Sequence, residues 1–189
     1  MINHEHKFIF IHIPKCAGMS VGRTLYKLIG QDPKLYDGFK IHHDEFDESV
    51  WKEYFVFTFV RNPLDRLHSQ YRYRDFLYEH DFEYATMNMK KLFEEHFTCK
   101  KEEIYEGTTK QVSDYFGEFV HLATQEEFLK GKYGNGVDKR PYINFCGKFE
   151  NLQQDFDYVC EKIGLPKTKL IHENKSINPK DINYERKIF

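Results

Sequence analysis

Cysteine is sparse in this 189-residue chain, and Cys16, Cys99, Cys146 and Cys160 stand at large, uneven gaps with no C-x-x-C pair among them. That spacing argues against a zinc site and against a dense disulfide scaffold, and leaves free thiols in a reducing compartment as the simpler reading. No excess of either charge is present: 28 Lys and Arg against 30 Asp and Glu give a net charge of -2. A chain-wide basic field of the nucleic-acid-binding kind is therefore missing, and any anion site has to be local. No apolar run approaches the ~20 residues of a membrane span. The N-terminus, MINHEHKFIFIHIPK, has only a short apolar stretch, broken by His12 and ended by Pro14. No signal peptide is visible there, and taken as a native terminus it predicts a cytoplasmic protein. Ten histidines are present, but His4/His6 and His42/His43 lack Cys or carboxylate partners at zinc spacing, so no metal is expected. Internal repeats, low-complexity blocks and a clear domain boundary are absent too, which predicts one domain over 1–189.

Aromatic residues, by contrast, are abundant at 17%, and they predict an aromatic-rich core. Residues 7–13, KFIFIHI, read as a buried strand entering a loop, and 55–60, FVFTFV, as a second strand covered on both faces. A helix is expected from Gly18 to Ile29, with Val21, Leu25, Leu28 and Ile29 on one face. A short helix is expected from Asp44, and another from Pro63 towards Glu79. The stretch 81–135 looks helical and polar, and 143–149 reads as a further strand. Asn151 then caps a last helix with Gln154 in a capping-box position, ended by Gly164 and Pro166. Strands alternating with helices indicate an α/β fold of three layers, a central parallel sheet flanked by helices.

Two strand-to-helix junctions carry the chemistry. The first reads His12-Ile13-Pro14-Lys15-Cys16-Ala17-Gly18-Met19-Ser20. Small residues at 17 and 18 let an anion approach the backbone, and residues 17–20 open a helix whose unpaired N–H groups favour negative charge. Lys15 adds a full positive charge and Ser20 a hydroxyl donor. The order is not G-x-x-x-x-G-K-[ST], so an ordinary ATP-binding P-loop is not expected. The plain alternative is a tight turn with a surface lysine. In the second junction Arg61 lies directly after a buried strand, where parallel sheets place ligands, and Ser69 follows eight residues later. Pro63, Arg66 and Ser69 share a helix face, so a guanidinium and a hydroxyl can clamp one phosphate. The alternative is a structural ion pair of Arg61 with Asp65.

Together these segments resemble the sulfotransferase superfamily, especially its carbohydrate branch, heparan-sulfate 2-O-sulfotransferase and related bacterial enzymes (sulfotransferase family 2). HIPKCAGMS is similar to that family's H-I-P-K-T-A-G-T-S loop, and FTFVRNPLDRLHSQY to F-x-x-V-R-N-P-x-x-R-x-x-S-x-Y. GKFENLQQDF at 147–156 looks like its G-R-F-E-N-L segment. The resemblance covers about residues 7–165 and implies a P-loop-like fold and the co-substrate 3′-phosphoadenosine-5′-phosphosulfate (PAPS), without a metal. It implies that Pro14, Lys15, Cys16, Ala17, Gly18, Met19 and Ser20 form the 5′-phosphosulfate loop, with Lys15 stabilising the leaving group. Arg61 and Ser69 would hold the 3′-phosphate. Cys16 and Met19 stand where the family has hydroxyl residues; backbone contacts survive that change, and Cys16 retains a weak S–H donor.

Attack by an acceptor hydroxyl calls for a general base, for which His is the usual choice. The carbohydrate branch places it between the two motifs, here GFKIHHDEFDES. Phe46 and Glu48, at +3 and +5, favour His43; Asp44, at +2, favours His42. His12 and His68 read as structural or at the rim. The resemblance implies a hydroxyl-bearing acceptor, a glycan, met by the region 80–140, where Lys90-Lys91 and Lys139-Arg140 are candidate contacts. The tail HENKSINP is a candidate to close over the donor. Two other classes stay open: a P-loop small-molecule kinase and a nucleotide-binding protein without turnover.

Overall fold

A computed structural model describes residues 1–36, 48–74, 77, 79–93, 95, 120–129 and 143–172. Its centre is a four-stranded sheet in the order β1 (Ile2–Asn3), β2 (Phe8–Ile11), β3 (Phe55–Val60), β4 (Phe145–Lys148). β2, β3 and β4 run parallel, and β1 is a two-residue antiparallel edge. The three longer strands fall inside the segments their apolar runs predict. β1 carries no such pattern, being too short to show a period.

Alternation along β2 and β3 divides the core into two layers. Phe8, Phe10, Phe57 and Phe59 face α1 (Gly18–Leu28), which contributes Val21 and Leu25. Near the C-terminus a helix over Leu152–Lys162 adds Phe156, Val159 and Cys160 to the same cluster. Ile9, Ile11 and Val56 face the other way, against Val50 and Trp51 of α2 (Glu48–Glu53). The largest fully buried side chains are phenylalanines, Phe10 and Phe57 stacking at 5.2 Å between ring centroids, so the aromatic core forms as expected. Buried on both faces, these strands have no use for polar alternation, which is why they read as continuous apolar runs.

After β3 the chain enters α3 (Pro63–Tyr71), with Pro63 in the first turn. This helix stops well short of Glu79: Arg72 caps it, and Tyr73 and Arg74 leave it. α4 (Phe82–Met87) and α5 (Gln125–Leu129) follow, and the helix over Leu152–Lys162 is α6. A second small core, of Leu77, Ala85, Met89, Leu92 and Phe93, packs against Leu67 and Tyr71 of α3. Asn151 precedes α6 without a side-chain cap, so the predicted capping box does not form. Asp155 instead accepts the Lys148 backbone N–H at 2.6 Å, fastening α6 to β4. Gly164, at φ +69, ends α6 as expected. The helix predicted from Asp44 starts outside the described residues, as do Lys139-Arg140 and most of the tail. Lys91 is exposed and pairs with Glu95 at 3.6 Å, a solvated helix pair.

Two glycines let α1 lie close to its neighbours. A Cβ at Gly18 would fall 2.0 Å from the His12 ring, and one at Gly22 would fall 2.0 Å from the Tyr36 ring. The two rings stack, and His12 Nδ1 lies 3.1 Å from the Tyr36 hydroxyl. Gly22→Ala therefore has to displace Tyr36 and loosen His12. Overpacking of this kind costs about 1–3 kcal/mol, against a gain of roughly 1 kcal/mol in helix propensity. A net loss of stability is expected in urea unfolding; an unchanged or raised midpoint would show that the Tyr36 ring is not held.

Candidate active site

Parallel pairing of β2 with β3 brings their carboxyl ends together, with Ile11 beside Thr58, so both junctions open on the same edge of the sheet. α1 begins with an unusual N-terminus. Ala17, its N-cap, sits in the left-handed region at φ 64, no side chain caps it, and no acidic residue lies in the first turn. Lys15 is left-handed as well, at φ 65. Such conformations cost roughly 1–3 kcal/mol each for residues other than glycine and persist where the surroundings hold them. α3 differs: the Asn62 side chain accepts from the N–H groups of Leu64 and Asp65, at 2.9 and 3.4 Å, and Asp65 occupies the first turn. Of these two neighbouring helix starts, only α3 is capped by a side chain.

Four cations converge there. Lys15 Nζ lies 3.7 Å from the centroid of the Tyr73 ring, and Arg74 lies over the same ring at 4.7 Å. Arg61 donates to the Lys15 carbonyl at 3.4 Å and stacks on Phe149 at 4.1 Å. Arg66 donates from Nε to the Pro14 carbonyl and from Nη1 to the Ala123 carbonyl, both at 2.9 Å. Among the described residues no carboxylate forms an ion pair with Lys15, and Asp65 acts on Arg61 only through space. The structural ion pair of Arg61 with Asp65 does not form. Burial, then the charges of Arg74, Arg61 and Arg66, lower the Lys15 pKa from 10.5 to about 8. Arg61 Nε and Arg66 Nη2 are buried donors with no hydrogen-bond partner among the described residues. An anion between these groups would relieve the mutual repulsion and engage the spare donors.

The third motif acquires a structural role here. Opposite Val60, Lys148 ends β4, so Phe149 and Glu150 lie beside Arg61 and Asn62. The Asn62 backbone N–H donates to Glu150 at 2.9 Å, and this bond leads in holding the Glu150 carboxyl below the usual range.

Several sequence expectations change in detail. Cys16 is buried, and its S–H donates to Gln125 Oε1 at 3.3 Å beside Arg66 and Arg61; burial raises its pKa to about 11. Met19 packs against the main core. Gly18 is required by the His12 ring, which a Cβ there would strike. Pro14 is buried and contributes its carbonyl to Arg66. Ser20 is buried, at the first turn of α1. Ser69 is half-buried on α3, and its hydroxyl has no protein partner among the described residues. His42 and His43 lie outside the described residues. His12 lies between Phe10 and Tyr36, and His68 stacks on Phe82 at 3.9 Å. Sequence reasoning assigned no role to Tyr73, Arg74, His121 or Gln125. Burial, then Arg74 and Lys15, lower the His121 pKa to about 3, which keeps that ring neutral beside the cluster. Arg66 lies inside the second motif and Arg74 just past it, so both offered a charge signal; Gln125 offered none. No group of three or more His, Cys, Asp or Glu suited to a metal occurs among the described residues, and no described helix is long and apolar enough to cross a membrane.

The Lys15 pKa dictates a pH dependence. Between about pH 8 and 10.5 the unfolded chain holds a proton that the folded chain lacks, so stability rises with pH across that window. Below it the charged lysine subtracts its full penalty. Without ligand, Lys15→Met is expected to melt above the wild type at pH 7, with the difference shrinking as pH rises from 8 towards 10.5. A less stable variant at pH 7 would contradict this assignment of a destabilising buried charge.

The chain matches the Sulfotransferase family over residues 1–187. It is 25% identical over 178 residues to carbohydrate sulfotransferase 14 of Danio rerio, covering 88% of this chain and 48% of that protein. Human carbohydrate sulfotransferase 9 is 26% identical over 189 aligned residues, with 88% of this chain and 41% of that protein covered. Carbohydrate sulfotransferase 11 of Mus musculus is 22% identical over 186, with 87% and 53% covered. No solved structure matches. The chain thus spans about half the length of these relatives. The cytoplasmic expectation is overturned, because carbohydrate sulfotransferases are Golgi-resident enzymes. That expectation rested on the first residues alone, and the ends of a chain half as long as its relatives carry no information on compartment. A match over almost every residue, on a fold that joins the two strand-to-helix junctions at one sheet edge, shows that the chain belongs to the Sulfotransferase family.

Proposed function

We propose that this protein transfers the sulfuryl group of PAPS to a hydroxyl on a carbohydrate, within one P-loop-like domain over 1–189. The observation that carries the reading is the convergence of Lys15, Arg61, Arg66 and Arg74 at an uncapped helix start, with two buried guanidinium donors unengaged. These residues fit a bisphosphorylated nucleotide. The names of the matched relatives support a sugar hydroxyl as acceptor. Likeness of the two motifs to heparan-sulfate 2-O-sulfotransferase supports the same acceptor class.

PAPS supplies an activated sulfuryl group on a phosphate leaving group. The backbone N–H groups at the start of α1, with Ser20, would hold the 5′ side; Cys16 and Met19 would contribute main chain only. Lys15 would meet the charge that develops on the departing phosphate oxygen, and an anion beside it favours its protonated form at neutral pH. Arg61 and Ser69 would take the 3′-phosphate. Arg66, committed to the Pro14 and Ala123 carbonyls, holds the loop in place. In the transfer the acceptor oxygen bonds to sulfur as the sulfur–oxygen bond to phosphate breaks, and the acceptor proton passes to His42 or His43. Lysine and arginine supply the charge stabilisation, and no metal is invoked.

Calorimetric titration with 3′-phosphoadenosine-5′-phosphate, with ATP and AMP as controls, tests the donor site. Selective binding that Arg61→Ala abolishes is expected; equal binding of ATP would sink the reading. For the base, alanine at both His42 and His43 is expected to lower turnover by about 10²–10⁴ while donor affinity stays near normal. Unchanged turnover would remove both histidines from the chemistry.

A further inference from the structure

One side chain holds both donor loops. Gln125 Oε1 accepts the Arg61 backbone N–H at 2.8 Å, and its Nε2 donates to the Arg61 carbonyl at 2.8 Å. The same Oε1 accepts the Cys16 S–H at 3.3 Å. A single amide thus pairs with both backbone groups of Arg61, as the next rung of a strand ladder would, and reaches across to the lysine loop. The contacts agree on its orientation: a flipped amide would set NH₂ against N–H and oxygen against carbonyl. Gln125 is itself anchored. Thr124 and Glu127 form a reciprocal capping box at the start of α5, with Thr124 N–H donating to Glu127 at 2.9 Å and Glu127 N–H donating to Thr124 Oγ1 at 3.2 Å. One residue earlier, the Ala123 carbonyl accepts from Arg66.

Arg61 leaves β3 at the last rung of the ladder, where Val60 pairs with Lys148. Beyond that rung the sheet no longer dictates the backbone direction, and the direction of the guanidinium follows from it. We infer that Gln125 is a positioning residue for Arg61, extending the ladder by one side-chain rung and so setting the preference for a nucleotide that carries a 3′-phosphate. This rests on the proposed donor site, in which Arg61 meets that phosphate.

The test compares 3′-phosphoadenosine-5′-phosphate with AMP, which lacks only the 3′-phosphate, on the full chain. Affinities are measured calorimetrically for the wild type, Gln125→Met and Gln125→Glu, beside a thermal melt of each. Methionine keeps the length and removes all three bonds; glutamate keeps the acceptor and loses the donor. The wild type is expected to prefer the bisphosphate. Gln125→Met should cut that preference by about tenfold, the size of roughly one net hydrogen bond, with AMP affinity little changed. Gln125→Glu loses the donor and also sets a carboxylate beside the cations, so it should cut the preference at least as far. A wild-type preference that persists in both variants overturns the role of Gln125 alone. So does equal weakening of both ligands with a fall in melting temperature, which is what a merely structural residue would give. A wild type without preference overturns the donor-site reading and this inference with it.

Discussion

Repulsion among four cations governs this end of the molecule. Lys15, Arg61, Arg66 and Arg74 gather at the carboxyl ends of β2 and β3, and burial removes much of the water that would screen them. Groups arranged this way destabilise the folded chain on their own. Among the described residues two of them are held by carbonyls: Arg61 by Lys15, and Arg66 by Pro14 and Ala123. A carbonyl fixes a guanidinium without cancelling its charge, so the field stays available to an anion. Tyr73 does the same for Lys15, since a ring face holds an ammonium and leaves its charge intact.

The fold serves this arrangement in ordinary ways. Aromatic packing between the sheet and helices α1 and α6 makes β2 and β3 a rigid platform. Parallel pairing sends both loops out on one side, and the two close glycine contacts set α1 tightly over His12 and Tyr36. β4 brings Phe149 and Glu150 beside Arg61 and Asn62, which gives the third motif a positional meaning besides its place before α6. Capping distinguishes the two helix starts: Asn62 and Asp65 satisfy α3, whereas α1 begins on a left-handed alanine with no side-chain cap.

Departures from the sequence reading have physical causes. Cys16 was considered as a donor to the ligand, yet a buried thiol packs as a small apolar group and finds the nearest acceptor, Gln125. The helix from Pro63 ends at Tyr71, and Tyr73 just beyond it meets Lys15 and Arg74. The capping box at Asn151 fails because Asn151 closes a 3-10 turn over Phe149–Asn151 and lacks the extended backbone of an N-cap. The cytoplasmic reading failed for another reason, since a short terminal stretch carries no information on compartment.

Continuous apolar runs and local spacing determined β2, β3, α1, the layered α/β class and the candidacy of Lys15, Arg61 and Ser69, because those depend on neighbours within one turn or one strand. Only the tertiary structure decided the rest. Which cations meet Lys15, which side chain joins Arg61 to the loop, and where the Cys16 thiol points all depend on residues 46 to 109 positions apart. Gln125 stands on a five-residue helix in a polar stretch with no periodicity to mark it. Its meaning comes from the strand end it faces, and no pattern along the chain records that.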